Sequence, residues 1–527
     1  MQYLSRKIFF FLSLLLIFSG CSSSSKDFFN AVDQIKPEEI KKHVVFLSSD
    51  SLKGRATPSP ELDSAANYIA REFSSYGLTS LNKNFLQKIS FGKVDLALDN
   101  HFRIKRNGKG KDFKIKSDFM PFEMTANKEV EAPVVFAGYG ITAPEYKYDD
   151  YSNIDVKGKI VFILRHEPQE NEDSSIFNGS LPSVYSQIEE KVNNARRHGA
   201  IALIVATDPL NHTSLKPQGF PWPSLSSFIP KETLPITLIG PEDKKIPVIQ
   251  VGEDAVLELF GSVDSLINLQ KQIDSSLSAK SFELTDCKAS IKTSTEIMQW
   301  PSYNVAGFLE GSDPVLKNEV IIVGAHYDHI GFKKNHRPGS DYIFNGADDN
   351  ASGTSGMLSL AKAFSSMSQK PKRSILFIGF AGEEIGLLGS KYYTENPLIP
   401  LEKTCAMLNM DMIGRNSPDT LYVIGNSCCP DLIEINKLEN EKTGFILNYS
   451  QEKYLPYSDQ ASFLKMNIPI IFLHTGEHID YHKVSDEEPL LDYNKAAKVT
   501  KLAFYTILHL ANDNKHYKIV NNKVTFF

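Results

Sequence analysis

Cysteine is scarce in this chain: five among 527 residues, and no two in a Cys-x-x-Cys pair. A thiolate zinc site of the usual spacing is therefore not expected. Basic charge is not in excess either. Lys and Arg total 57 against 63 Asp and Glu, a net charge of -6, with no dominant basic cluster. This balance argues against nucleic acid as a partner. The apolar run near the N-terminus, Ile8 to Ser19, has 12 residues, too few to span a bilayer as a helix. Internal repeats and long low-complexity segments are missing too. What remains is a chain of 42% hydrophobic and 23% charged residues. That is enough for a large core and is consistent with two to four domains.

The short apolar run carries its own message. Arg6 and Lys7 precede it, and it ends in Phe18-Ser19-Gly20-Cys21, followed by Ser22 to Ser25. A basic flank, a short apolar core and small residues make up a signal peptide, here residues 1–20. Small residues just before a Cys resemble a bacterial lipobox, although Leu is usual where Phe18 stands. The resemblance implies lipidation of Cys21 and a polar tether over residues 21–35. The protein is then exported and lipid-anchored to a bacterial membrane, periplasmic or at the cell surface. An ordinary signal peptide with an incidental Cys is the alternative. Several acyl chains on one Cys anchor durably, since each buried CH2 contributes about 0.8 kcal/mol. Cys287, Cys405, Cys428 and Cys429 allow three disulfide pairings, among which the sequence does not choose.

From Pro37 the pattern is helical, with Ile40, Val44, Val45 and Leu47 on one apolar face. Ala65, Ala66, Ile69, Ala70 and Phe73 repeat that spacing up to a stop at Gly77. Near residue 131 the texture changes. Strands are expected in Pro133 to Gly140, Val156 to Leu164, Ala200 to Ala206 and Ile246 to Val251, with a helix at Lys191 to Arg197. Such alternation with short Gly turns predicts a small α/β unit over residues 131–262, in which no catalytic cluster is evident. A helix is expected around Asp264 to Leu277. Beyond it, apolar strands at Tyr303 to Leu309, Glu319 to Ala325 and Ser374 to Phe380 alternate with helices at Gly353 to Phe364 and Ser390 to Tyr393. The expected fold is α/β, a mainly parallel central sheet with helices on both faces.

Five metal-type side chains stand in unusual local patterns in this second half: His326, Asp349, Glu384, Asp411 and His482. His326, the Glu383-Glu384 pair and Asp411 each follow an expected strand. Ligands bind beyond the carboxyl ends of strands in open α/β sheets, so three separate motifs can converge on one pocket. Two His and three carboxylates can hold two metal ions if one carboxylate bridges them. Asp349, in a loop before a helix, has two oxygens for that task. Asp328 can accept the second ring N–H of His326 and so orient it. Glu383 points away from its neighbour and can serve as a base toward water. Tyr481 can donate to a developing oxyanion. His329, His474 and His478 are weaker candidates for lining the pocket, Asp480 and Asp486 for orienting His482. Arg415 would meet a substrate carboxylate or pair with an acid in the fold.

The motifs Gly324-Ala-His-Tyr-Asp-His329, Asn345-Gly-Ala-Asp-Asp-Asn-Ala-Ser-Gly353, Phe380-Ala-Gly-Glu-Glu384, Asn409-Met-Asp-Met-Ile-Gly414 and Tyr481-His482 resemble the co-catalytic zinc exopeptidase family. That family includes bacterial leucyl aminopeptidases and glutamate carboxypeptidase II. The resemblance spans about 36–130 and 290–512, and 131–262 resembles the protease-associated domain inserted in several exopeptidases. It implies a peptidase domain in two parts, 36–130 and 263–527. It implies one Zn2+ on His326 and Asp411, a second on Glu384 and His482, Asp349 as bridge and Glu383 as general base. A cis peptide at Asp349-Asn350 is implied as well. Other divalent transition metals also suit these ligands. The expected activity is aminopeptidase action on peptide substrates. Carboxypeptidase or dipeptidase action on the same site is the near alternative. Glutaminyl cyclases, which use one zinc, and the non-catalytic transferrin receptor share the architecture, but here every ligand position and the base are filled. The oligomeric state is not legible.

Overall fold

A computed structural model describes residues 30–520, apart from 181, 218–221, 223–224 and 226–233. The signal segment and Cys21 lie outside the described residues. Two compact units emerge, one of residues up to Ser90 together with those from Trp300 onward, the other of Phe91–Gln299.

In the first unit, helix α1 (Pro37–Leu47) opens on a proline with Glu38 and Glu39 in its first turn. The fixed φ of proline and the positive end of the helix dipole favour both choices. Helix α2 (Pro60–Ser75) starts on Ser59, whose hydroxyl accepts from the Leu62 N–H at 3.0 Å. The apolar stripes of both helices are buried as their spacing predicts, except that Val45, one position beyond Val44 and so turned off the stripe, is 44% exposed.

Seven neighbouring strands of a nine-stranded sheet frame the site: β1 (Thr295–Leu309), β2 (Val320–His326), β3 (Ser374–Phe380), β4 (Thr404–Met410), β5 (Thr420–Ile424), β6 (Ile446–Asn448) and β7 (Ile470–His474), in the order β1-β3-β2-β4-β7-β5-β6. The four central strands, β3, β2, β4 and β7, are parallel, and β1 and β5 flank them antiparallel. Every residue of those four strands is buried. Continuous apolar runs without alternation are what a covered parallel sheet requires. Helices α3 (Gly353–Ser366) and α4 (Leu388–Glu395) fall between these strands and α5 (Tyr493–Asn512) after them; α3 and α5 pack against β2. The α/β, mainly parallel architecture is the expected one.

The second unit holds an eight-stranded sheet. Its order is Lys109–Phe113, His101–Arg106, Phe282–Thr293, Lys128–Phe136, Ile160–Leu164, Ala202–Ala206, Val248–Val251, Phe119–Pro121. Alternate residues of the strand Lys128–Phe136 feed two cores: Val134 and Phe136 one, Val135 the other, joined there by Ala137 just past the strand end. The compact unit takes in the segment 131–262 together with strands on either side that hydrogen-bond into the same sheet. Ladder pairing, which composition does not report, sets its limits.

Cys287, Cys405, Cys428 and Cys429 are all buried and free, so no pairing among them is formed. Among the described residues no helix is long and apolar enough to cross a membrane.

Candidate metal centre

Parallel strands deliver the site. β2 ends on His326, β3 is followed by Glu383 and Glu384, and β4 by Asp411. Asp349 sits in an irregular turn, Ala347–Ser352, that leads into α3; its own φ and ψ, -105° and 96°, are not helical. His482 lies in the loop after β7. The Asp349-Asn350 peptide is cis, as the family resemblance implied.

The five side chains converge, in two groups that share Asp349. In one, His326 Nε2 lies 3.3 Å from Asp411 Oδ1 and 3.4 Å from Asp349 Oδ1. In the other, His482 Nε2 lies 3.2 Å from Asp349 Oδ2 and 3.1 Å from Glu384 Oε2. Each oxygen of Asp349 thus faces a different histidine. Glu383 Oε2 stands 4.0 Å from His326 Nε2. Asp349 Oδ2 and His482 Nε2 are buried without a hydrogen-bond partner. Buried polar atoms normally find partners. Clustered lone pairs of this kind fit a divalent transition ion, and two His with three carboxylates fit zinc.

The electrostatics follow from burial and proximity. Burial works against charge on His326, but Glu383, Asp411, Asp328 and Asp349 outweigh it and raise its pKa well above the ordinary value. Burial also opposes ionisation of Asp349; His329, His326 and His482 prevail and hold it well below the usual carboxylate range. His482 is pushed up to about 10: burial lowers it, and Asp349 and Glu384 more than reverse that. Glu383 moves the other way. Burial, helped by Glu384, Asp411 and Asp459 and opposed by His326, lifts it well above the usual carboxylate range. An acid that holds its proton at higher pH is a better proton shuttle near neutrality.

The turn that carries Asp349 is stapled in place. Asp486 accepts from the backbone N–H groups of Asp348 and Asp349, each at 3.1 Å. Asn350 Nδ2 donates to the Met410 carbonyl at 3.0 Å, and its Oδ1 accepts from Gly353 N at 2.9 Å and Met412 N at 3.2 Å. This joins the turn to the end of β4. Ser458 Oγ donates to Asp411 Oδ2 at 3.0 Å and fixes that carboxylate.

Several secondary expectations are corrected. The Asp328 carboxylate is 3.7 Å from His326 Nδ1, and the nearer contact is the Asp328 backbone carbonyl at 3.3 Å. The carboxylate turns instead to the Glu383 N–H at 3.2 Å and the Thr57 hydroxyl at 2.9 Å. It therefore positions Glu383. His329 enters the second group, with Nδ1 2.6 Å from Glu384 Oε1 and 3.6 Å from Asp349 Oδ2. His474 Nδ1 donates to the Asp411 carbonyl at 2.8 Å, and His478 faces Asp348 at 3.4 Å. Asp480 engages Arg415 at 2.6 Å, so that arginine pairs within the fold and neither Asp480 nor Asp486 serves His482 as expected. Tyr481 stacks on the His482 ring at 3.9 Å. Burial and the neighbouring carboxylates hold its hydroxyl well above the ordinary phenol range, so it remains a proton donor.

A parallel α/β sheet whose strand ends gather a shared His-carboxylate cage, joined to a second α/β unit, defines the class: a protein built around a metal centre. Residues 304–507 match the profile described as Peptidase family M28, and residues 130–259 that of the PA domain. Leupeptin-inactivating enzyme 1 of Streptomyces exfoliatus is 35% identical over 117 residues, 22% of this chain and 24% of that protein. Aminopeptidase YwaD of Bacillus subtilis is 29% identical over 291 residues, 54% of this chain and 47% of that one. The chain thus spans under half the length of these curated relatives. Among solved structures, the aminopeptidase from Aneurinibacillus sp. strain AM-1 superposes with a TM-score of 0.45 at 21% identity, over 92% of this chain and 96% of that one.

Proposed function

We propose that the chain is a zinc aminopeptidase with two ions per chain, exported and held at a bacterial membrane by a lipid on Cys21. The observation that carries the reading is the double aspect of Asp349, one oxygen toward His326 and the other toward His482. His326 and Asp411 would hold one ion, Glu384 and His482 the other, with Asp349 shared and His329 close to the second. Bound zinc supplies a water of lowered pKa and polarises the scissile carbonyl. The protein does the rest. Glu383, partly buried and anchored through its backbone to Asp328, takes the proton of the attacking water and returns it to the departing amine. Tyr481, protonated, donates to the oxyanion that develops on the substrate carbonyl. Arg415, the cation that a C-terminal carboxylate would need, is engaged by Asp480, which favours aminopeptidase over carboxypeptidase action. The relative named aminopeptidase points the same way.

The test is a panel of free and N-blocked peptides and aminoacyl amides, assayed before chelation, after it and after zinc is restored. Cleavage of free N-termini only, lost with chelator and regained with zinc, is expected. Preference for blocked N-termini would refute the aminopeptidase reading, and turnover indifferent to chelator would refute the metal centre.

A further inference from the structure

The second compact unit contains its own cluster of metal-type side chains, unrelated to the peptidase cage. We propose that His166, Glu170, Asp208 and His212 form a separate site for one divalent transition ion of the zinc class.

The backbone brings them together in a simple way. Strands Ile160–Leu164 and Ala202–Ala206 are parallel neighbours, with Leu164 paired to Ala206. His166 and Asp208 each stand two residues beyond these paired positions, so they leave equivalent strand ends side by side. Glu170 and His212 each follow four residues later, and the turn at Asp208 closes with the His212 N–H donating to the Asp208 carbonyl at 3.0 Å. One donor atom from each of the four residues lies within 4.8 Å of the others. His166 Nδ1 is in contact with Asp208 Oδ2 and 3.5 Å from Glu170 Oε2. His212 Nε2 is 2.7 Å from Glu170 Oε1 and 4.0 Å from Asp208 Oδ2. A tetrahedral ion with bonds of about 2.1 Å sets its ligands about 3.4 Å apart, and these separations scatter around that value.

An ordinary ion-pair cluster accounts for the arrangement less well. Glu170 Oε1 and His212 Nε2 approach to 2.7 Å, yet neither makes a hydrogen bond. They are close without being aimed at one another, as two ligands of one ion are. The two imidazole rings stack at 4.4 Å, a poor arrangement for two imidazolium cations and a good one for two neutral ligands. Asp208 is fully buried. Among the described residues neither carboxylate has a lysine or arginine within ion-pairing distance. A dication would neutralise both. An open cleft of about 550 Å³, bordered by Arg165, Thr207, Asn211 and Gln250 as well as the two histidines, gives a hydrated ion access.

The test is zinc content of the full chain after stripping with chelator, dialysis against zinc and removal of free metal. His166→Ala/His212→Ala is expected to retain one zinc per chain fewer than the unsubstituted protein, with peptide hydrolysis unchanged. Asp349→Asn should lose zinc from the peptidase cage and keep this ion, so the two sites report independently. Equal zinc content in the double variant and the unsubstituted chain would overturn the proposal. Should the double variant fold poorly, His212→Ala alone, at a half-exposed ring, serves with cobalt in place of zinc. A change in the cobalt visible spectrum is expected, and an unchanged spectrum would overturn the assignment.

Discussion

Replacing Arg55 by Ala should loosen the peptidase cage without touching a ligand. Arg55 is fully buried. Its Nε donates to the Tyr327 carbonyl at 2.9 Å, Nη1 to that of Asn345 at 2.8 Å and to Leu47, and Nη2 to that of Gly346 at 3.1 Å. Tyr327 lies between His326 and Asp328, and Asn345-Gly346 opens the turn that carries Asp349. One planar fork therefore ties two ligand loops together, a task for which lysine lacks the geometry. Burial lowers its pKa to about 10 against the pull of Asp328, Asp349, Asp486 and Glu384, so it stays charged at neutral pH. A hydrogen bond to a charged group contributes about 1.5–3 kcal/mol. The three that reach Tyr327, Asn345 and Gly346 set a ceiling near 5–9 kcal/mol, but neighbouring terms do not add and water will enter the gap. We expect a loss of about 3–5 kcal/mol in local order. Transferred to a cage that must be re-formed on binding, 3 kcal/mol weakens zinc about 10²-fold. Zinc competition against a chromophoric chelator, paired with thermal unfolding of the chelated protein, measures both effects. Arg55→Lys should fall between Arg55→Ala and the unsubstituted protein. Zinc affinity within threefold of the original and an unshifted melting temperature in Arg55→Ala would refute the reasoning.

Glu383→Gln keeps shape and the backbone bond to Asp328 but removes the base; kcat should fall by about 10²–10⁴ while bound zinc, measured by elemental analysis, is unchanged. Ser458→Ala strands Asp411 Oδ2, and loss of such a partner lowers metal affinity or turnover by about 10–100-fold, which zinc titration will read. The stability of the chelated protein should depend on pH through His482. Its folded pKa is raised to about 10 from 6.5, so its contribution is complete below pH 6.5 and fades as pH rises toward 10. A falling melting temperature over that window is expected in chelated protein, and replacement of His482 by Gln should flatten it.

The central sheet and the residues that converge on the cage are legible in the sequence because both leave local marks. Buried parallel strands are unbroken apolar runs, and His326, Glu384 and Asp411 stand at or just beyond the ends of three of them. What escapes is held by single polar groups with no local mark. Arg55 meets the Tyr327 carbonyl across 272 residues, and Ser458 meets Asp411 across 47. Asp328 keeps its place beside His326, but its carboxylate is drawn to Thr57 and the Glu383 N–H, contacts that only folding creates. The flanking strands that join the second unit's sheet are hard to read for a related reason, since ladder partners such as Phe282–Thr293 are far from the segment they pair with. The cluster at His166 and Asp208 was detectable in principle. Both follow adjacent strands of a parallel sheet, the rule that exposed His326 and Asp411.

Gly353 sets two physical effects against each other at the point where the turn of Asp349 becomes α3. Its φ and ψ, -65° and -42°, are helical, so Ala would be favoured by helix propensity by about 1 kcal/mol. Space says the opposite. A Cβ here would lie 2.3 Å from Asn350 Oδ1 and 2.4 Å from the Met410 carbonyl oxygen. The second of these is backbone at the end of β4 and does not swing aside. Relief requires that Asn350 release Gly353 N and Met412 N, and that the turn move off the strand that leads to Asp411. Overpacking of a tight site costs about 1–3 kcal/mol or more, which exceeds the propensity gain. Gly353→Ala should therefore lower the melting temperature of the chelated protein and weaken zinc, because Asp349 and Asp411 separate together. A variant as stable as the original, or more so, would show that the turn has slack, and that the shared placement of the two carboxylates does not depend on this close approach.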